Sequence, residues 1–531
     1  MSGQEGSPVT DYDYIVAGGG TAGCVLAARL TENPQAKVLL LEAGSARQGS
    51  AAQTPAAWPQ LLGTDADWGG TTTAQAGAGE LPYPRGRGLG GSGAINAMAH
   101  IRGHRAVYDA WEAGGAAGWG FEGLLPYFKR SETAERRDPA LRGTSGPVRV
   151  APLPSYRAHP AACAFEQALT DLGYPETGDL SGAVQEGTGW PDLAIADGRW
   201  ADPASAYLRP VLSRPNLTIL DGSLVTSLAI RNGRCVGTEY LRDGGLHTAR
   251  AAAEVIVCAG AVGTPQLLLL SGIGPAGHLR DLGIKPAVSL PGVGENLQDH
   301  PVVMACYTSA LPLPASRYNH GEVYASLASG LGGTWPDLQL FPILLPVAPP
   351  GHPAPVNGFV LAASVTAPDS RGTVRLASAD PAAPPLTDPG FLREATDCAR
   401  MAAGLQIARN AGALLGRLAV TEVLPGAAAG PGDLRDWIVR TVGSYYHPAG
   451  TCAIGLDPGG GAVVDPELRV YGVSGLRVAD ASVMPVIPNA PLHATVLAVA
   501  ERAAELIVGR RAGPAPRAAS RGPQEKRNEQ E

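Results

Sequence analysis

Only four of the 41 basic residues are lysine, and the formal charge of −7 leaves no surplus of cations. Affinity for nucleic acid rests on Lys and Arg meeting phosphates, so that class of partner is excluded. Cysteine is sparse and never paired in sequence: there are seven residues and no C-x-x-C spacing. Neither a disulfide framework nor a metal site is therefore expected, only reduced and mostly buried thiols. No apolar run approaches the roughly 20 residues that a bilayer span requires. Residues 266–270 and 341–347 come nearest, and Gly or Pro interrupts them. The first ten residues are polar and lead straight into an apolar strand, which leaves no room for a signal peptide. A cytoplasmic location is the default expectation. Scarce lysine beside 70 glycines and 47 prolines resembles the bias of a GC-rich bacterial genome and says little about function.

What is present is the composition of a large globular protein. The chain has 531 residues, 45% of them hydrophobic, with a mean hydropathy of +0.01. That length predicts two or more domains, or one large interleaved unit. Residues 14–42 carry the clearest local signal. The short apolar run 14–17 reads as a buried strand. Gly18, Gly20 and Gly23 follow in G-x-G-x-x-G spacing, where the glycines allow a sharp turn, close approach of backbone to a pyrophosphate, and helix–strand packing. Val25, Leu26 and Leu30 recur at helical spacing, so a helix N-terminus points its free N–H groups at phosphate. A second apolar strand, Val38–Leu41, ends in Glu42, placed where an acidic side chain binds ribose hydroxyls. Strand, turn, helix, strand and acid in this order predict a dinucleotide site. On these residues alone a nicotinamide cofactor is as open as a flavin.

Residues 43–84 read as an irregular excursion. Residues 85–105 are glycine-rich around single larger side chains (Ile95, Asn96, Met98), which predicts backbone amides packed against an anion or ring. Residues 108–130 read as amphipathic helices with aromatic anchors, and short strands are expected at 146–150, 217–220, 224–230, 235–240 and 255–258. The last opens a second strand–glycine–helix unit and predicts a return to the first sheet. Residues 301–365 are expected to form strands and loops of a second region, 397–416 and 434–442 helices, 476–479 a strand and 494–508 an amphipathic helix. From Arg511 there is almost nothing to bury, and a disordered tail is expected.

Taken together these stretches resemble the glucose–methanol–choline (GMC) oxidoreductases, flavoenzymes that oxidise alcohols. The resemblance runs from about Asp11 to Val508. Its specific segments are 18–23, 87–98 with Arg102-Gly103, 260–275, 292–301, Ser370-Arg371-Gly372, 446–452 and 475–485. It implies an α/β fold: a Rossmann-like FAD-binding domain assembled from separated segments, with an interleaved α+β substrate domain on an antiparallel sheet. The expected division is 11–303 for the N-terminal FAD-binding region, with a substrate-domain insertion at about 151–209. Residues 304–440 are then mainly substrate-binding, 441–508 return to the FAD domain, and 511–531 form the tail. The family pattern implies that Gly18, Gly20, Thr21, Ala22, Gly23 and Glu42 hold the ADP half of FAD. Gly91, Ser92, Asn96, Ala97 and Met98 would lie along the pyrophosphate and ring system, Val225 would meet adenine, and Asp480-Ala481 would approach the pyrophosphate and ribityl chain. Some members tether FAD through a histidine just before the Asn96 position. Here that residue is Ile95, so non-covalent FAD is expected.

Alcohol oxidation removes a hydroxyl proton and a carbon-bound hydride. FAD would accept the hydride at N5, and the protein must accept the proton. Among ten histidines, His447 in Ser-Tyr-Tyr-His-Pro matches the family's active-site base, a task suited to a side chain that titrates near neutrality. The family's second active-site residue falls where this chain is one residue short; His493 matches best and Asn489 is the rival. His100 is expected either to face the flavin or to pack, and His300 to be structural. With aromatics at 5% and not clustered near His447, no quaternary-ammonium cage is indicated. The expected function is FAD-dependent oxidation of a small-molecule alcohol, with oxygen or another electron acceptor, by a monomer or homodimer. The alternative is a lyase or light-driven decarboxylase on the same scaffold.

Overall fold

The computed structural model describes residues 10–45, 54–75, 77–153 and 158–509; the expected tail lies outside them. The first strand, Thr10–Ala17, has parallel neighbours on both sides, Val38–Leu41 and Gly245–Val257. Leu217–Leu220 extends the sheet past Val38–Leu41, and Leu476–Val478 joins alongside residues 255–257. Where both faces are covered, as over residues 38–41 and 255–257, the strand reads as an unbroken apolar run rather than an alternating one. Every residue of Val38–Leu41 is buried. Leu224–Arg231, Arg234–Arg242 and the first half of Gly245–Val257 form an antiparallel meander leaving the same sheet. The strand expected at 255–258 begins ten residues earlier, at Gly245. Its Ala-rich middle has weak strand propensity, and pairing on both sides overrides it.

The first helix, Thr21–Leu30, follows the glycine turn, and the last helix, His493–Val508, packs on it. Glu501 fixes that contact. Its carboxylate is wholly buried and accepts from Arg29 (2.7 Å), Arg130 (3.1 Å) and the Tyr207 hydroxyl (2.8 Å). The chain's two ends therefore meet on one sheet, with a large apolar core around them.

A second, antiparallel sheet runs in the order Val420–Leu424, Pro301–Ser309, Gly358–Val365, Leu338–Ile343, Tyr324–Leu327, Gly187–Gly189, and Gly443–Ser444 pairs with the start of Pro301–Ser309. The helices Ala395–Ala413, Pro431–Thr441 and Pro160–Asp171 close a second core around it. Between the two cores sits a small cluster that includes Val302, Tyr324, Phe341 and Ala490, with Tyr445 packed against it. The fold is thus an α/β architecture with a Rossmann-like sheet and an antiparallel second sheet. Pro301–Ser309 begins one residue after His300, and Gly443–Ser444 ends three residues before His447, so pairing of these two strands sets the histidines side by side.

Candidate active site

One cavity of ≈ 860 Å³ runs from the first glycine turn to His447 and His493. At the turn, Gly18 has φ +109, and a Cβ there would lie 2.5 Å from the Cys258 carbonyl oxygen. Only glycine fits. Gly20, Thr21 and Ala22 also line the cavity, and no side chain caps this helix N-terminus. Its first-turn N–H groups remain available to an anion. Gly23 is not on the wall. It packs helix against strand, since a Cβ would fall 1.9 Å from the Gly18 carbonyl oxygen. Glu42 is buried, and its carboxylate accepts from the backbone N–H groups of Gly19 (2.8 Å), Gly44 (2.8 Å) and Gly88 (2.9 Å). Those donors fix it on the cavity wall with acceptor capacity left for a hydroxyl. Val225 lines the same end.

Gly91, Ser92, Asp480 and Ala481 form the middle of the wall. The Asp480 carboxylate is spent inside the protein: it accepts from Gly260 N (2.8 Å), the Thr264 hydroxyl (2.5 Å) and Ser482 N (2.8 Å). Burial raises its pKa, and these donors oppose the rise. Asp480 therefore shapes the turn that presents Ala481.

At the far end stand Asn96, Ala97, Met98, Tyr324, Tyr445, Tyr446, His447 and His493. Asn96 Oδ1 accepts from Met98 N (2.7 Å), which orients the amide so that Nδ2 donates to His493 Nδ1 (3.1 Å). His493 Nε2 is buried and has no hydrogen-bond partner among the described residues. Burial, and then His100, push the His493 pKa down to about 3. His447 Nδ1 lies 3.0 Å from His300 Nδ1. The His447 pKa is well below the usual imidazole value, first through burial, then His300, then Arg85. Burial lowers His300 to about 3. Both cavity histidines are thus neutral imidazoles near pH 7.

Asp299 holds this end together. Its buried carboxylate accepts from His447 N (2.8 Å), His300 N (2.7 Å), the Tyr83 hydroxyl (2.8 Å) and the Ser444 hydroxyl (2.5 Å). Tyr446, just before His447, sits at φ +66. Its N–H donates to Ser444 Oγ (2.7 Å), and its carbonyl accepts from Arg85 Nη2 (2.8 Å).

Three sequence readings change here, and the open one on His100 is resolved. Asn489 does not reach the cavity: Oδ1 accepts from His104 N (2.7 Å) and Nδ2 donates to the Pro336 carbonyl (2.9 Å). His100 packs rather than faces the cavity, with Nε2 on the buried Glu132 carboxylate at 2.8 Å. His300 is more than structural, since its ring bonds the His447 ring. Aromatics do gather at His447, with the Tyr445 ring centroid 4.3 Å away. The adjacent Tyr-Tyr-His letters carried that last signal, and the low overall aromatic content hid it. Nothing local marked Asp299 or His300 beyond their place in the 292–301 segment.

A Rossmann-like sheet whose glycine turn, acidic side chain and two neutral histidines share one cavity defines a dinucleotide-dependent oxidoreductase. The chain belongs to the GMC oxidoreductase family, matching its N-terminal part over residues 12–302 and its C-terminal part over 368–500. It is 38% identical to the mitochondrial choline dehydrogenase of Homo sapiens, over 94% of this chain and 90% of that protein. It is 36% identical to the oxygen-dependent choline dehydrogenase of Vibrio vulnificus, over 94% of both. The solved structure of pyridoxine 4-oxidase from Mesorbium loti superposes with a TM-score of 0.90 at 35% identity, covering 94% of this chain and 100% of that one. The protein is an FAD-dependent enzyme that oxidises an alcohol CH–OH group. These relatives are oxidoreductases and lend nothing to the lyase alternative. The cavity fits FAD: an uncapped helix N-terminus and a fixed carboxylate at one end, and a buried histidine nitrogen without a protein partner at the other. Among the described residues no helix is long and apolar enough to cross a membrane, and no metal cluster is found.

Proposed function

We propose that His447 is the proton acceptor for the alcohol and that His493 orients its hydroxyl. The observation that carries this reading is the Asn96 hydrogen bond that fixes the tautomer of His493, with the His300 ring bonded to His447. Asn96 donates to His493 Nδ1, so the proton of neutral His493 sits on Nε2, free to donate to a substrate oxygen. The reading places the proton of His300 on Nε2, a buried nitrogen with no hydrogen-bond partner among the described residues, and turns its Nδ1 to His447 Nδ1 at 3.0 Å. With that proton on Nε2, His300 Nδ1 accepts from His447 Nδ1–H, and His447 Nε2 keeps its lone pair for the substrate. His493 then holds the hydroxyl while His447 Nε2 takes its proton. FAD, when bound, supplies the acceptor for the hydride that leaves the carbon, and a carbonyl product results.

Gly18, Gly20, Thr21, Ala22, Glu42 and Val225 would hold the ADP half; Gly91, Ser92, Asn96, Ala97, Met98 and the Asp480–Ala481 turn would hold the rest. Ile95 stands where a tethering histidine would be, which supports non-covalent FAD. A cytoplasmic location is supported by sparse cysteines that show no C-x-x-C spacing in sequence. Sedimentation distinguishes the proposed monomer or homodimer from larger assemblies.

The test is His447→Gln, assayed by anaerobic flavin reduction with a reactive alcohol. A positioned base contributes about 10²–10⁴-fold, so reduction should slow by that factor while the flavin absorbance stays with the protein. Near-normal reduction with FAD bound would remove His447 from this role.

A further inference from the structure

We infer that the catalytic end admits an uncharged alcohol with a flat aromatic body and rejects quaternary-ammonium alcohols. The inference rests on the reading that His447 marks the reacting end. A buried cation needs a counter-charge or several convergent ring faces, and this end offers neither.

Three carboxylates touch the cavity: Glu42, Glu80 and Asp480. Glu42 is held by three backbone donors at the opposite, glycine-turn end of the cavity, the oxygens of Asp480 are taken by protein donors, and the Glu80 residue is exposed to solvent. Asp299 lies behind the His447 backbone, off the cavity wall, with its oxygens shared among four donors. The charged side chain on the wall beside His447 is a cation, Arg85, bound to the Tyr446 carbonyl. An ammonium headgroup here meets a like charge and no opposite one.

The rings form a stack rather than a cage. Phe341 is sandwiched between Tyr324 (5.4 Å, 24°) and Tyr445 (4.6 Å, 15°), and His447 leans on Tyr445 at 4.3 Å. The faces of Tyr324 and Tyr445 turned toward Phe341 are used within that stack. Tyr446 differs: it lines the cavity, is 37% exposed, and makes no ring contact among the described residues. Its left-handed backbone, clamped by Ser444 and Arg85, presents that ring beside the base. A neutral aromatic substrate gains a stacking surface there, with Met98 and Leu492 as apolar walls. A cation over the same ring would sit close to Arg85.

The experiment compares choline with neohexyl alcohol, its uncharged carbon isostere, and benzyl alcohol with cyclohexylmethanol. The holoenzyme is used, and anaerobic flavin reduction is measured. Neohexyl alcohol should exceed choline in reduction efficiency by about 100-fold or more, because the two differ only in an uncompensated charge. Benzyl alcohol should exceed cyclohexylmethanol by roughly 10-fold, an advantage that Tyr446→Phe keeps and Tyr446→Ala loses. A readout independent of turnover is perturbation of the flavin spectrum by dead-end ligands: benzamide should titrate to saturation and tetramethylammonium should not. Choline matching its isostere, or saturable tetramethylammonium binding, overturns the inference. Failure of the underlying reading looks different, because His447→Gln would then reduce flavin normally whatever the charge preference.

Discussion

His447 reaches the cavity with one usable nitrogen because its neighbours remove the other options. Its N–H is held by Asp299 and its Nδ1 by His300, which leaves Nε2. Burial keeps that nitrogen unprotonated well below the usual imidazole range. The efficiency of flavin reduction should therefore stay flat as pH falls from 8 through 6.5, with its acid limb well below. An acid limb at or above 6.5 would show that the base titrates like a free histidine. His300→Ala removes a neighbour that depresses the His447 pKa, so the limb should move up toward 6.5. Misplacing the ring should also cost up to about 100-fold in rate. A purely structural His300 would change stability and leave the limb in place. The same residues set a stability trend. His300, His447 and His493 all have folded pKa values below 6.5, so between pH 6.5 and about 5 the unfolded chain binds protons that the folded chain does not. These three histidines therefore make unfolding free energy rise with pH across that window; His104, His159 and His278, also lowered, add to the rise, and the raised Asp299 and Asp480 oppose it. Urea midpoints at a series of pH values measure it, and a flat series would refute neutral burial.

Strand pairing and buried charge do the positioning at the level of elements. Pairing of Pro301–Ser309 with Gly443–Ser444 sets His300 beside His447 across 147 residues of chain. A parallel strand such as Val38–Leu41 was legible from sequence, because burial on both faces leaves a plain apolar run. The histidine contact was not, since a long-range hydrogen bond has no local pattern. The start of Gly245–Val257 was hidden for a related reason, its alanines being recruited to the sheet by neighbours on either side. Near His493 a buried charge cluster supports the wall. The Glu132 carboxylate accepts from Arg102 (2.6 Å), Arg142 (2.7 Å) and His100 (2.8 Å), and Glu132 is wholly buried. Removing the Glu132 carboxylate leaves Arg102 buried without its counter-charge, while Arg142 keeps Asp179 and Asp192. Glu132→Ala should therefore cost about 3–5 kcal/mol of stability, read from urea unfolding. A loss below about 1 kcal/mol, typical of exposed pairs, would mean the cluster is effectively solvated.

Across the whole molecule, the cavity draws on both ends of the chain. Thr10–Ala17 and Leu476–Val478 flank the same strand, Gly245–Val257, and the walls run from Ala17 to Val496. Motifs near residues 18, 91 and 480 were each readable in sequence as glycine turns or short strands. Their convergence on one cofactor, implied by the family resemblance, has its physical basis in the sheet order and the shared cavity. A ligand touching all of them adds a further tie between parts already joined by the sheet, by helix packing and by hydrogen bonds between the turns. If FAD is held without a covalent bond, it must stabilise the fold by mass action, by about 2.7 kcal/mol at a free concentration one hundred times its Kd. The melting temperature should then climb with added FAD, and acid precipitation should release all of the flavin into solution. Gly91→Ala supplies the control. Gly91 has φ +55, and a Cβ there would lie 2.7 Å from Gly20 Cα, where the 91 turn meets the first helix. That variant should bind FAD poorly and melt at a temperature independent of FAD concentration. A wild-type melting temperature that ignores FAD, with flavin remaining in the acid pellet, would establish a covalent tether despite Ile95 and would require a different attachment residue on the cavity wall.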